Sequence, residues 1–280
     1  MAFNVKERIY IKYIQNEWRK YKNRKKKYNI LLPNEIKQIL NIKKLLNKPK
    51  KIMISPMEME YNESIDYLIK YMPYVYCVQF DGSDNNKLAY KWIPMYKWAK
   101  ILYELNNNIP YYLHIFSNNK EWINNQLLLC YNNNPNIIGV FIQIDILTSY
   151  YINNAIEIIN ILKNNINNKI NYGLSLNANG LKNIKNDKLF DEIILKTKNL
   201  KNQITLPYKK NFNDNKWIVS TCELLSYLLN ILNNDNQAWG IDRGIDKLIL
   251  NELYNNYIKI NNKKCLPGII TIGKGLIYFI

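Results

Sequence analysis

The chain has 280 residues, which suffices for one α/β barrel of about 250 residues or for two small domains. Hydrophobic residues make up 48% of the chain and aromatic residues 13%, and this composition excludes a disordered polymer. The formal net charge is +17 at pH 7, and residues 1–50, with 15 Lys or Arg against 3 Glu, carry +12 of it. Residues 1–50, called the basic arm below, therefore differ in charge from a nearly neutral remainder.

The four cysteines, Cys77, Cys130, Cys222 and Cys265, are far apart and form no C-x-x-C pair. This spacing predicts reduced cysteines of an intracellular protein and excludes a disulfide or zinc framework. No apolar run reaches the roughly 18 residues of a membrane span, so we expect no transmembrane segment. The N-terminus is basic like a mitochondrial transit peptide but lacks Ser and contains Glu, so both a mitochondrial and a cytoplasmic location stay open.

The basic arm is predicted to start with an amphipathic helix, because Tyr10, Ile14, Trp18 and Tyr21 recur at spacings of three or four. A cluster of basic side chains loads the end of this helix: Arg19, Lys20, Lys22, Arg24, Lys25, Lys26 and Lys27. Such a cluster neutralises phosphates without reading sequence, so it predicts binding to RNA or to a large complex. An anionic membrane surface and a solvated basic tail are the alternatives.

From residue 51 onward, short β-rich runs alternate with helical stretches, which is typical of βαβ units and a parallel sheet. The predicted strands are 52–57, 74–80, 110–116, 137–145, 169–177, 190–196, 238–242 and 268–273. The predicted helices are 64–71, 92–105, 121–130, 154–164, 221–232 and 246–257. Eight strands fit a (β/α)8 TIM barrel over residues 51–280, although an open doubly wound sheet shows the same alternation.

Only seven residues follow the last predicted strand, so we expect no helix after it. A barrel of this kind covers every strand with a helix. The helix of the basic arm is therefore expected to cover the flank between the first and last strands, or to leave that flank to a partner.

Six strand ends carry motifs that occur in the same order in one enzyme family. They are Ile54-Ser55-Pro56, Val75-Tyr76-Cys77-Val78-Gln79-Phe80-Asp81-Gly82, Tyr112-Leu113-His114-Ile115-Phe116, Tyr172-Gly173-Leu174-Ser175-Leu176-Asn177, Gly240-Ile241-Asp242-Arg243-Gly244-Ile245 and Ile272-Gly273-Lys274-Gly275-Leu276-Ile277. Taken together, residues 51–280 resemble ribulose-phosphate 3-epimerase. The resemblance implies a barrel of the ribulose-phosphate-binding type.

The resemblance also implies a reaction in which two Asp side chains move a proton at the carbon beside a carbonyl. It implies a divalent zinc, iron or manganese ion held by two His and those two Asp. Carried over to this sequence, His114 and Asp242 match the third-strand and seventh-strand ligands. A packed, hydrogen-bonded histidine and an aspartate that orients the backbone are the alternatives.

Several departures from the family pattern predict an incomplete metal set and no bound cofactor. Tyr76 and Val78 stand where the family has a histidine and the base aspartate, and strand alternation predicts that both face inward together with Phe80. Met57 replaces a serine, and residues 205–210 lack the glycines of a phosphate loop. The expected phosphate-binding residues are those of the last two strand ends: Arg243, Gly244, Gly273 and Lys274. Solvated charges at the mouth of the barrel are the alternative for the two basic residues.

These departures lead us to expect a catalytically degenerate epimerase-like protein that serves as a structural or RNA-associated subunit of a larger assembly, such as a mitochondrial ribosome. The alternative is an active, divergent epimerase that turns over a small sugar phosphate. In that case Asp242 would work with an additional carboxylate, for which Glu58, Glu60 and Asp145 are the candidates.

Overall fold

Parallel strands alternate with helices along the part of the chain that the computed structural model describes. That part comprises residues 51–57, 59–85, 93–165, 170–184, 187–197, 200–205, 240–242 and 269–273. The strands are β1 (Lys51–Ile54), β2 (Cys77–Ser83), β3 (Tyr111–Phe116), β4 (Ile137–Ile144), β5 (Asn171–Asn177), β6 (Gln203–Thr205), β7 (Gly240–Asp242) and β8 (Ile269–Ile272). The helices are α1 (Tyr61–Tyr71), α2 (Met95–Leu105), α3 (Lys120–Asn133), α4 (Ser149–Asn165), α5 (Ala178–Ile184) and α6 (Lys188–Thr197), with a 3-10 turn at Met72–Tyr74.

The eight strands pair in chain order, every pair is parallel, and β8 pairs with β1 to close the ring. The α/β class with a curled parallel sheet is therefore confirmed. The segments after β6 and β7, together with the basic arm and the predicted helices 221–232 and 246–257, lie outside the described residues. A complete (β/α)8 unit and the helical arm thus stay predictions.

The outer face of the sheet packs on the helices through apolar side chains at alternate strand positions. Phe80 of β2 stacks on Trp98 of α2, with ring centroids 5.7 Å apart and planes 10° apart. Helix α3 shows the matching helical period, since Ile123, Leu127 and Cys130 are its buried residues. Its first turn is capped by Asn119, whose side chain accepts a hydrogen bond from the Trp122 N–H at 3.0 Å.

The inner face of the sheet carries an apolar cluster near the amino ends of the strands. Met53, Cys77, Tyr112 and Phe141 form this cluster, and the last two rings stack with centroids 5.0 Å apart. Gly139 makes the close approach possible, because a Cβ there would lie 1.8 Å from the Tyr112 ring. Because this cluster is apolar, the polar groups of the described interior lie toward the carboxyl ends of the strands.

Strand β2 faces the other way from the sequence-based expectation. Cys77 lies in the inner cluster and Gln79 contacts His114 and Asp242, whereas Val78 and Phe80 lie in the core formed with the helices. The prediction that Val78 and Phe80 face inward is therefore wrong, whereas Tyr76 packs against the inner apolar cluster. A shift of one residue exchanges the two faces of a strand, so the motif match in β2 is one residue out of phase with the structure.

The prediction of a sixth strand at 190–196 is also wrong. This stretch lies in α6, where Phe190, Ile193 and Thr197 are buried at helical spacing and the Thr197 hydroxyl donates to the Ile193 carbonyl at 2.7 Å. The true β6 has only three residues, and two of them are polar and buried. A strand of this composition shows no apolar run in the sequence.

Among the described helices, none combines the length and the apolar character that crossing a lipid bilayer requires.

Candidate functional site

Polar side chains line the carboxyl-terminal half of the strands on the inner face. They are almost completely buried and come from seven strands: Gln79 and Asp81 (β2), His114 (β3), Gln143 (β4), Ser175 (β5), Gln203 and Thr205 (β6), Asp242 (β7) and Thr271 (β8). The most exposed of these side chains is that of Asp81, at 16%, followed by that of Asp242, at 12%. This inner polar ring lies at the end where βα barrels carry their active sites.

His114 occupies the centre of the inner polar ring and is 2% exposed. The β2–β3 register places it directly beside Asp81. Its Nδ1 lies 3.4 Å from Asp81 Oδ1 and 3.5 Å from Asp242 Oδ2. Its Nε2 lies 2.8 Å from Gln143 Oε1, so the other edge of the imidazole meets an acceptor as well. The ring thus has acceptors on both nitrogens.

The surroundings of His114 favour its charged form. Burial alone lowers the pKa of the imidazole, but the hydrogen bond and charge of Asp81, the charge of Asp242 and the hydrogen bond to Gln143 outweigh burial and raise the pKa above 6.5. The imidazolium then donates Nε2–H to Gln143 and Nδ1–H toward the two carboxylates. The cluster contains two carboxylates for one imidazolium and so retains a negative charge while both are ionised.

The amide of Gln79 joins the two carboxylates. Its Nε2 donates to Asp81 Oδ1 at 3.2 Å and to Asp242 Oδ2 at 3.0 Å, and it lies 3.3 Å from His114 Nδ1. The side chain is 1% exposed. A single amide therefore fixes the distance and orientation of both carboxylates.

A second set of hydrogen bonds supports the first from β5 and β6. The hydroxyls of Ser175 and Thr205 are bonded at 2.5 Å, and Thr205 Oγ1 also donates to Gln143 Oε1 at 3.1 Å. Gln203 Nε2 donates to Ser175 Oγ at 3.1 Å and, more weakly, to Asp242 Oδ2 at 3.4 Å. These bonds hold Gln143 and Asp242 against His114.

Three buried oxygens of the inner polar ring have no hydrogen-bond partner among the described residues. They are Oε1 of Gln79, Oε1 of Gln203 and Oγ1 of Thr271. An unpaired buried acceptor costs about 1–3 kcal/mol, so such groups are normally satisfied by water or by a ligand. The inner polar ring therefore has free acceptors for a hydroxyl-bearing molecule.

The inner polar ring does not fit a divalent metal as it stands. Within the described part of the chain, no group of three or more His, Cys, Asp or Glu side chains is arranged to hold a metal ion. The amide N–H groups of Gln79 point at the oxygens of Asp81 and Asp242 that a cation would need. The arrangement fits the sharing of protons between carboxylates and imidazole instead.

The structure brings together two of the residues predicted for the site, His114 and Asp242, and adds Asp81 to them. Gly273 follows β8, where its carbonyl accepts a hydrogen bond from the Tyr67 hydroxyl at 3.0 Å. Arg243, Gly244, Lys274 and the basic residues of the arm lie outside the described residues, as does Glu58.

The two other candidate carboxylates differ in their relation to the inner polar ring. Glu60 is exposed at the start of α1. Asp145 is exposed just after β4, and its Oδ1 accepts a hydrogen bond from Gln143 Nε2 at 2.8 Å. Asp145 is therefore linked to His114 through one amide, whereas the described contacts give Glu60 no such link.

Sequence reasoning missed Gln79, Asp81, Gln143, Gln203 and Thr205. The signal for them is polar side chains at alternate positions of strands that are otherwise apolar, as in Gln79 and Asp81 or Gln203 and Thr205. A parallel strand with both faces buried normally reads as a continuous apolar run. Polar residues in one phase therefore indicate a polar interior.

A cleft of about 430 Å³ adjoins the inner polar ring at the carboxyl ends of β2, β3 and β4. Gln143 lies in its wall and also bonds to His114, so the cleft and the imidazole share one side chain. This volume falls within the range of roughly 300–1,000 Å³ that is typical of small-molecule sites.

No family model matches the chain, and no curated protein matches it in sequence. Solved structures do match, and two of them are TIM-barrel enzymes. A mutant tryptophan synthase α-subunit from Pyrococcus furiosus is 11% identical with a TM-score of 0.51, over 81% of this chain and 88% of that one. A putative α-L-fucosidase from Bacteroides thetaiotaomicron is 13% identical with a TM-score of 0.52, over 81% of this chain and 86% of that one. At these identities the likeness shows the TIM-barrel-type fold alone.

Proposed function

We propose that this chain is an enzyme that moves a proton at the carbon beside a carbonyl of a small sugar-like substrate, with Asp81 and Asp242 as the acid–base pair. The observation that carries the proposal is that both carboxylates lie beside the same buried imidazole and accept from the same amide. Such a cluster of titratable groups at the carboxyl ends of barrel strands is typical of a catalytic site.

In the proposed reaction one aspartate removes the proton from carbon, and the electron pair of the broken C–H bond moves to the carbonyl oxygen. The resulting enediolate carries negative charge, which the positive charge of the nearby His114 imidazolium stabilises. The other aspartate, in its protonated form, returns a proton to the opposite face of the same carbon. One proton leaves and one arrives, so the product is an epimer.

The resemblance to ribulose-phosphate 3-epimerase supports this assignment at a finer level, including a complete barrel of the ribulose-phosphate-binding type. Asp81 offers a second-strand carboxylate that accepts from the same Gln79 amide as Asp242 of the seventh strand. The pair takes the role that the family gives to its two aspartates. Ribulose 5-phosphate is the first substrate to test.

The experiment is proton exchange with solvent. The full chain is incubated in D2O with ribulose 5-phosphate, and NMR follows the loss of the C3 proton signal. We expect Asp81→Asn and Asp242→Asn each to slow the exchange at least about 100-fold, since one general acid or base contributes roughly 10²–10⁴-fold.

The matched control is Asp191→Asn, which removes a carboxylate from the exposed face of α6. This variant should exchange at the wild-type rate. Absence of exchange in the wild-type protein, with zinc, iron or manganese added or not, would overturn the enzyme proposal. Equal rates in the wild type and both site variants would overturn the assignment of the two aspartates.

The basic arm favours a second candidate function, as a structural or RNA-associated subunit of a larger assembly such as a mitochondrial ribosome. Its support is the net charge of +12 in residues 1–50. The test is sedimentation with ribosomal RNA at several salt concentrations, before and after Lys25, Lys26 and Lys27 are changed to Gln. Binding that weakens with salt and with these changes is expected, and unchanged sedimentation would contradict an RNA role.

A further inference from the structure

Hydrogen bonds tie together the turns that line the cleft beside the inner polar ring. The Ser83 hydroxyl donates to the Phe116 carbonyl at 2.9 Å, which ties the end of β2 to the end of β3. The Asn119 N–H donates to Ser117 Oγ at 3.0 Å, and the Asn119 side chain caps α3. Because these bonds fix the loops, the shape of the cleft is preformed.

The charge of the described lining disfavours an anionic ligand. Two carboxylates, Asp84 and Asp145, lie in its wall, and the described lining contains no Lys or Arg. A phosphate placed here would meet two like charges and no compensating cation. A phosphate group of the substrate must therefore bind elsewhere at the mouth of the barrel.

The remaining lining offers hydrogen-bonding groups and aromatic surface together. Asn85 and Asn118 carry amides, and Phe116 and Tyr151 are half-buried rings. A carboxylate accepts hydrogen bonds from hydroxyl groups, and an amide both donates to them and accepts from them. An aromatic ring covers the C–H face of a sugar. Neither feature by itself selects this ligand, but both occur in one cavity of suitable size.

We propose that this cleft binds the uncharged, hydroxyl-bearing part of the ligand, a neutral polyol chain or sugar ring. The proposal rests on the proposed function, since it names the part of that substrate which does not react. Gln143 connects the two sites, because its Nε2 donates to Asp145 in the cleft and its Oε1 accepts from His114. A polyol that bonds to Asp145 thus lies one side chain from the imidazole.

The test uses ribitol as the neutral probe, putrescine as a cationic probe and inorganic phosphate as an anionic probe. Saturation-transfer NMR on the full chain measures binding of each, and titration gives the dissociation constants. We expect ribitol to bind, and Tyr151→Ala to weaken it about fivefold to tenfold through loss of the ring surface. Tyr103→Ala is the matched control, because Tyr103 is 43% exposed on α2 and lies outside the cleft.

The outcomes separate the cleft from the catalytic proposal. Ribitol binding that survives Asp242→Asn but weakens in Tyr151→Ala supports the cleft, whatever the rate of proton exchange. Absence of ribitol binding overturns the cleft proposal, even when exchange is observed. The cleft proposal is also overturned if phosphate displaces ribitol. It is overturned as well if Asp145→Asn abolishes putrescine binding but leaves ribitol binding unchanged.

Discussion

His114 is the chain's only histidine, and replacing it by glutamine tests the charge arrangement of the inner polar ring directly. His114→Gln leaves the two carboxylates among amide groups, with no cation between them. Removing one partner from a buried ion pair costs about 3–5 kcal/mol. Since Asp81 and Asp242 are 16% and 12% exposed, we expect a loss of unfolding free energy near the lower end, about 3 kcal/mol.

Asp81→Asn is predicted to cost much less, about 1 kcal/mol, because one carboxylate still balances the imidazolium and the amide oxygen still accepts a hydrogen bond. The pair of variants therefore distinguishes a charge effect from a packing effect. Urea unfolding of the untagged full chain, followed by tryptophan fluorescence and circular dichroism, measures both. Asp191→Asn again serves as the control.

The pH dependence has a defined sign. The folded pKa of His114 is raised above the ordinary value of 6.5, so its stabilisation is complete below pH 6.5 and is lost as the pH rises through the folded pKa. The difference in unfolding free energy between the wild type and His114→Gln should thus be larger at pH 6 than at pH 9. A difference that is the same at both values, or a His114→Gln protein as stable as the wild type, would refute the imidazolium between two carboxylates.

Two further predictions concern the same interior. The pKa of His114, read from its single imidazole NMR signal, should fall in both Asp81→Asn and Asp242→Asn. The fall should be larger in Asp81→Asn, because Asp81 contributes a hydrogen bond as well as its charge. A larger fall in Asp242→Asn would contradict this ranking. Gly139→Ala should lower the unfolding free energy by about 1–3 kcal/mol in urea unfolding, since the new Cβ would lie 1.8 Å from the Tyr112 ring. Gly273→Ala should cost little, because its new Cβ would lie 3.4 Å from the nearest atom. Equal losses in the two variants would argue against this packing.

The sequence was sufficient to predict the parallel α/β class and most of the strands. The ends of strands β3, β4 and β5 are predicted to within about two residues. The outer faces of these strands pack on apolar helix faces, so their sequences contain clear apolar runs. Strand β6 could not be found in this way. Its three residues contribute two side chains to the polar interior, so the apolar signal is missing and the nearby α6 appeared more strand-like.

The site was harder to predict than the fold, because it depends on which strand faces turn inward. The resemblance predicts His114 and Asp242 as site residues. A one-residue error in the phase of β2 assigns Asp81 and Gln79 to the outer face, so the sequence-based prediction omits them. The polar residues Gln79 and Asp81 share one phase of β2, and this pattern indicates the face that lines a polar interior. The pairing of β2 with β3, which sets Asp81 against His114, agrees with this phase.

Gln203 distinguishes a site built for a ligand from a polar core that serves stability alone. Its side chain is fully buried, one of its two bonds is long at 3.4 Å, and its Oε1 has no partner among the described residues. Gln203→Met removes the bonds to Ser175 and Asp242 and leaves these buried partners in place, so we expect it to lower the unfolding free energy by about 1–3 kcal/mol. If Oε1 also receives a substrate hydroxyl, the same variant should slow proton exchange about tenfold, measured in D2O as above. A variant that loses stability but exchanges protons at the wild-type rate would mean that this oxygen faces no ligand.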